Sequence, residues 1–278
     1  MADVDRLGIL NHDPMARRGG PRLQLIGEFE LWDRGTVTVP HGVQRFLAFL
    51  ALAGGPVGRY QLGGALWGDT TQDRADGNLR STLWRLGRLR GRLVERRTDR
   101  LAIAPGVRVD VVELSAVARR ILAPDAPDAE ATGPAAPATT DLADAAEILP
   151  GWDDLWLMPE RERYRQLRLH ALERAAERSL QDDECARAIE LGLTIVEAEP
   201  FRESGHRLLI AAHLREGNAI EAVRQYRTYR RLAADELGVD PSPRMETLIE
   251  PIRGALGQAS TGSASFSASA NCIRCSRA

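Results

Sequence analysis

The sequence predicts an α+β chain that is mostly α and is built as two modules. The first is a basic module of short strands, three helices and a hairpin; the second is acidic and entirely helical. Three observations lead there. At 278 residues the chain exceeds what one compact core usually needs. Its charge is divided, with 19 arginines against 13 acidic residues over 1–122, and 16 against 23 over 141–256. A loose repeat of about 34 residues runs through the helical part, with Ala188 and Ala222 at matching positions and Ala175-Ala176 answering Ala211-Ala212.

Composition removes several classes of function. Apolar residues at 44% and charged residues at 27% are ordinary globular values. No apolar run approaches the roughly 20 residues that span a bilayer, and residues 1–20 lack the apolar core of a secretory signal. Three cysteines cannot build a disulfide framework. A cytoplasmic protein is expected, with no membrane partner. All 37 basic residues are arginine, which suggests a GC-rich coding sequence, so arginine abundance alone carries little meaning. Its placement carries more: residues 74–100 hold nine arginines and only Asp76, Glu95 and Asp99 against them.

Residues 1–21 read as a disordered leader. Alternation at Leu23, Leu25, Phe29 and Leu31, a turn at Asp33-Arg34-Gly35 and the β-branched run Thr36–Val39 predict two or three short antiparallel strands. Val43, Phe46, Leu47 and Leu50 stand at helical spacing, and Gly54-Gly55-Pro56 ends that helix. A second helix spans Arg59 to Trp67, weakened by Gly63 and Gly64. A third runs from Arg74 to Arg92, with Leu79, Leu83, Leu86 and Leu93 on one stripe and Thr82 and Leu89 at its margin. Leu93–Arg96, a turn at Arg97–Arg100 and Leu101–Ile103 form a hairpin. Residues 123–141 are an Ala/Pro-rich linker. Helices follow at Arg161–Leu180, Ala186–Glu197, Arg202–Glu216, Ala219–Asp235 and Pro243–Leu256, and 257–278 form a disordered tail.

The polar face of the third helix presents Ser81, Trp84, Arg85, Arg88 and Arg92, flanked by Arg80. Guanidinium groups recurring opposite a leucine stripe suit a helix laid in the DNA major groove, where they pair with guanine edges or phosphates. A solvated face in an arginine-rich chain has the same pattern. Trp84 either awaits a partner or covers the hairpin as core. Arg96, Arg97 and Arg100 make the hairpin a second contact element. Catalysis has no support: the histidines at 12, 41, 170, 206 and 213 form no zinc motif and sit near no nucleophile. His206 and His213 share a helix face as packing or solvated residues. Cys272 and Cys275 form one CxxC, with only Cys185 beside it, too few ligands for zinc. No Gly-rich phosphate loop occurs, so no cofactor and no enzyme activity are expected.

These residues resemble a known family. Residues 22–110 are similar to the OmpR-type winged-helix domain of the Streptomyces antibiotic regulatory proteins (SARP family). The similarity runs through Arg45–Leu52, Val57 and Arg59, Ala65-Leu66-Trp67-Gly68-Asp69, and Asn78-Leu79 to Trp84-Arg85-Leu86. Residues 142–256 resemble that family's bacterial transcriptional activator domain, through Glu160–Arg163, Ala222–Tyr226 and Glu236–Pro243. The resemblance implies an N-terminal winged helix-turn-helix over 22–122, then an all-α tetratricopeptide-like domain over 142–256. It also implies an activator of secondary-metabolite genes that binds double-stranded DNA at direct repeats. Protomers would lie side by side as a dimer on DNA, nucleoid-associated when bound, and recruit RNA polymerase holoenzyme through its sigma or alpha subunit. Larger relatives carry an ATPase and further repeats, and no attached receiver is expected here. Gly87 stands where relatives carry a longer, often basic side chain, and Gly91 follows; both loosen the C-terminal half of the recognition helix. The alternative is a tetratricopeptide-like adaptor whose winged helix is vestigial.

Overall fold

The computed structural model describes residues 20–123 and 138–250. All but the last two residues of the expected leader, the whole tail and most of the expected linker lie outside the described residues, as do Cys272 and Cys275. Two compact units divide the chain, one ending at Leu172 and the other beginning at Glu173.

The first unit opens with strands β1 (Arg22–Gln24) and β2 (Glu30–Trp32), paired antiparallel with Leu23 opposite Leu31. Helix α1 (His41–Leu52) follows and buries Val43, Phe46, Leu47 and Leu50, the positions its spacing predicts. After β3 (Val57–Gly58) come α2 (Arg59–Leu66) and α3 (Gln72–Arg85). Gly63 lets these two helices meet, since a Cβ there would lie 3.3 Å from that of Ala75. Beyond α3 lie a 3-10 turn (Gly87–Leu89) and the single turn α4 (Arg90–Leu93), which feeds the hairpin β4 (Val94–Arg97) and β5 (Arg100–Ile103). Strand β5 also pairs with β3, and β6 (Arg108–Val109) runs parallel to β1, giving the sheets β2-β1-β6 and β3-β5-β4.

Two features depart from the sequence expectations. The third helix does not run unbroken to Arg92: it stops at Arg85, and Gly87 adopts φ of +50°. A left-handed glycine just past a helix end satisfies the terminal carbonyls at no steric cost to itself. Second, α5 (Asp110–Leu122) follows β6 where no helix is expected, burying Val111, Leu114, Val117, Ala118 and Ile121. Its first residue anchors it. The Asp110 carboxylate accepts the backbone N–H groups of Leu25 (3.0 Å), Ile26 (2.9 Å) and Val111 (2.7 Å). Burial pushes the Asp110 carboxyl above its ordinary value, against the pull of those hydrogen bonds.

Residues 138–172 also belong to this unit, some thirty residues past the expected linker. They comprise α6 (Thr139–Ala143), an irregular stretch, and the start of α7 (Met158–Gln181). The irregular stretch covers α1 and the segment that follows β1, Leu25–Gly27. Leu149 donates its N–H to Leu25 O (2.9 Å), and Gly27 donates to Glu147 O (2.8 Å). Arg45 Nε donates to Asp154 (2.9 Å), whose carboxylate also accepts the Trp156 indole N–H (2.9 Å). Trp156 meets Phe49 edge-on at 5.1 Å, and Trp152 meets His41 at 4.8 Å. From α7, Arg161 donates to Ile148 O (2.7 Å) and Arg168 to Leu142 O (2.8 Å), so half-buried guanidinium groups satisfy carbonyls of the irregular stretch and of the end of α6.

The second unit is helical. It continues with α8 (Cys185–Ala198), α9 (Glu203–Arg215) and α10 (Ala219–Leu237), and residues 243–250 are helical as well. Ala188 and Ala222, equivalent in the repeat, are both fully buried, as are Ala176 and Ala212. Small residues are needed where the helices press together: a Cβ on Gly192 would lie 2.8 Å from Leu209, and one on Gly205 2.7 Å from Ile195. The Glu236–Pro243 stretch is a stop and a restart. Gly238, at φ of +65°, caps α10, and Ser242 O accepts the Met245 N–H (2.9 Å) at the start of the next helix. Ser242 also donates its N–H (2.8 Å) and its hydroxyl to Glu203 of α9.

Candidate nucleic-acid interface

Helix α3 is two-faced for a local reason. Ala75, Leu79, Thr82 and Leu83 recur at helical spacing and are buried, and Thr82 satisfies its hydroxyl by donating to Asn78 O (2.8 Å). That packing turns Arg80, Ser81, Trp84 and Arg85 outward, and all four are exposed. Trp84 is 80% exposed, so it does not cover the hairpin as core. Arg88 and Arg92 are exposed too, but they lie beyond the Gly87 break and do not continue the face of α3. Arg74 and Arg90, which the leucine stripe alone did not single out, are further exposed cations of this segment.

Arg92 has a partner within the fold. Its Nη1 donates at 2.5 Å to Asp33, whose side chain is only 3% exposed while that of Arg92 is 39% exposed. The pair ties α4 to the turn after β2. Asp33 could not be found from the sequence, because it lies 59 positions away in a turn that reads as solvent-exposed.

Pairing register sorts the hairpin arginines. Arg96 lies opposite Leu101 and Arg97 opposite Arg100. Residues facing each other across an antiparallel pair share a side, and successive residues alternate. Arg96 therefore shares the side of buried Leu101 and Val94 but projects past the core, exposed. Arg97 and Arg100 take the other side with Glu95. Arg97 pairs with Glu95 at 3.0 Å, and that hydrogen bond holds its guanidinium above the ordinary value. Arg100 donates to Pro56 O at 3.3 Å. Thr98, at the tip, has φ of +55° and accepts a hydrogen bond from Arg96 through its carbonyl (3.0 Å). Of the three hairpin cations, Arg96 is the one on the core side of the sheet, where it donates to the Thr98 carbonyl.

In the second unit His206 is a core residue. Its Nε2 lies 2.8 Å from Pro200 O and its Nδ1 2.8 Å from Gln225 Nε2, which fits a neutral ring donating from Nε2 and accepting at Nδ1. Burial holds its pKa below the ordinary value. Among the described residues no group of three or more His, Cys, Asp or Glu could hold a metal ion, and no helix is long and apolar enough to cross a membrane.

Residues 126–253 match the family model of the bacterial transcriptional activator domain. The chain is 30% identical over 255 residues to Regulatory protein AfsR of Streptomyces coelicolor, and 29% identical over 246 residues to Regulatory protein AfsR of Streptomyces griseus. These matches cover 84% and 83% of this chain but 24% of each relative, so the chain spans about a quarter of their length. Among solved structures, EmbR of Mycobacterium tuberculosis, in complex with a low-affinity phosphopeptide, matches with a TM-score of 0.65 at 20% identity, over 88% of this chain and 69% of that one. At that identity the likeness is one of fold: a winged helix-turn-helix followed by a helical domain.

Proposed function

Starting from a chain that belongs to the Streptomyces antibiotic regulatory protein family of transcriptional regulators, we propose that it is a sequence-specific DNA-binding activator. In this reading α3 enters the major groove, and Arg80, Ser81, Trp84 and Arg85 meet base edges. Arg88 and the hairpin, Arg96 foremost, lie against phosphates. Protomers bind side by side on direct repeats near promoters of secondary-metabolite genes, and the acidic helical part recruits RNA polymerase.

One observation carries this reading. The leucine stripe of α3 is wholly buried while an indole and two guanidinium groups stand in solvent on the opposite side. Arginine supplies bidentate donors for guanine and phosphate, and a protein helix fits the groove's width. The charge division supports the same assignment: the arginine-rich part attracts a polyanion, and residues 141–256, net −7, suit contacts with protein. The test is a gel shift with the full chain on its own upstream region and on unrelated duplex of equal length. Tighter binding to the upstream region is expected; equal affinity for both contradicts the proposal.

A further inference from the structure

We infer that Trp84 is a specificity-determining residue that reads the C5-methyl group of a thymine. The inference rests on the DNA-binding reading above and narrows it to a base and an atom.

At 3.6 residues per turn, Gly77, Ser81 and Trp84 fall within about 60° of one another around α3, directly opposite the buried Leu79 and Leu86. Arg80 and Arg85 stand on the two flanks. Past the first turn, where Asp73 and Arg74 share this side, the middle of the outer face is thus one large apolar ring beside two positions with almost no side chain. A Cβ on Gly77 would find only the tip of Arg80, at 3.8 Å, within contact distance. The face is low at Gly77 and Ser81 and high at Trp84. When the helix descends into a groove, the indole reaches the base edges first, and the small residues let the backbone follow it.

What an indole can recognise there is narrow. Major-groove edges present hydrogen-bonding atoms and the flat C5–H of cytosine, and the thymine methyl is the one apolar group that projects from them. A ring at 80% exposure gains by covering that methyl and loses by covering an amino or carbonyl edge that it cannot satisfy. Its one donor, the indole N–H, remains for a neighbouring acceptor. Arginines on both flanks favour guanine. The recognition element is therefore a thymine with guanine nearby, one per protomer.

The experiment replaces single thymines by uracil, which deletes only the methyl group, at each thymine of a duplex that the full chain protects in a footprint. Affinity is measured for the wild type and for Trp84→Ala, with circular dichroism to establish that the exposed substitution leaves the fold unchanged. One position is expected to weaken wild-type binding about three- to tenfold on loss of its methyl, and Trp84→Ala to be indifferent at that position. A wild type indifferent to every replacement, while still preferring its site over unrelated duplex, overturns the assignment of Trp84 and leaves the DNA-binding reading standing. A Trp84→Ala variant as sensitive as the wild type overturns it too. A wild type with no preference for any duplex overturns both.

Discussion

Arg92 stands among the arginines that the sequence assigns to DNA, yet the fold gives it another occupation, and Arg92→Ala separates the two roles. The substitution removes the hydrogen-bonded partner of Asp33, whose side chain is 3% exposed. Its other oxygen, Oδ1, is buried with no hydrogen-bond partner among the described residues. Breaking a buried ion pair by deleting one member costs about 3–5 kcal/mol, because the survivor is left charged and dry. Arg92 is itself 39% exposed, so part of the interaction is already screened and water can enter the space it leaves. A loss of about 2–3 kcal/mol follows, or roughly 5–10 °C in Tm for a unit of this size. Thermal melts followed by circular dichroism measure it, beside gel shifts at a temperature where both proteins are folded. Arg92→Ala should melt early and bind DNA within about twofold of the wild type. Asp33→Asn in the same chain should restore part of the loss, since it removes the stranded charge. A variant that melts like the wild type and fails to bind would refute this reasoning and return Arg92 to the DNA surface.

Three further outcomes are expected. A fragment ending at Leu122 should be markedly less stable than one ending at Leu172 and should aggregate, because Phe49, Arg45 and the segment after β1 lose the cover of residues 144–157; melts of the two fragments compare them, and equal stability would contradict the packing described. Binding of the full chain should weaken with salt at a log–log slope near −5 if about six phosphates are neutralised, and a flat response counts against groove binding. Stability should fall between pH 7.5 and 5.5. His206 is held below its ordinary value of 6.5, so the unfolded chain binds the proton first as pH drops, and the stability present above 6.5 is lost. Burial raises the Glu203 carboxyl, but bonds from Ser242 and Arg207 outweigh this and lower it, so its contribution is lost only below its ordinary value of 4.5. Urea midpoints at the two pH values measure the His206 effect, which His206→Gln should flatten.

What could be read from the sequence was local. The α1 spacing, the hairpin and the outward side of α3 each follow from residues within a dozen positions, where periodicity and turn chemistry act directly. The stop at Gly87 was legible as a weakness but not as an end, since glycine permits a left-handed residue without requiring one. Helix α5 was hidden by its composition. Val107, Val109, Val111 and Val112 are β-branched and favour strand over helix, and burial of Val111, Leu114 and Val117 overrides that preference. The partnerships of Arg92 with Asp33 and of Arg45 with Asp154 span 59 and 109 positions, and no spacing rule reaches so far. For the same reason a compositional break at 123–141 did not reveal that 138–172 pack with the first unit.

The outward face of α3 as the element that reads DNA is tested most directly by selection from random duplex, run in parallel with the full chain and with Arg85→Ala. The wild type should enrich two half-sites in direct repeat, about 10–11 bp apart, one helical turn, so that neighbouring protomers address the same side of the duplex. The Arg85→Ala pool should lose preference at one guanine of each half-site, a change of roughly 1–3 kcal/mol. A wild-type pool that stays random, or a variant pool enriching the same motif just as strongly, would contradict the account.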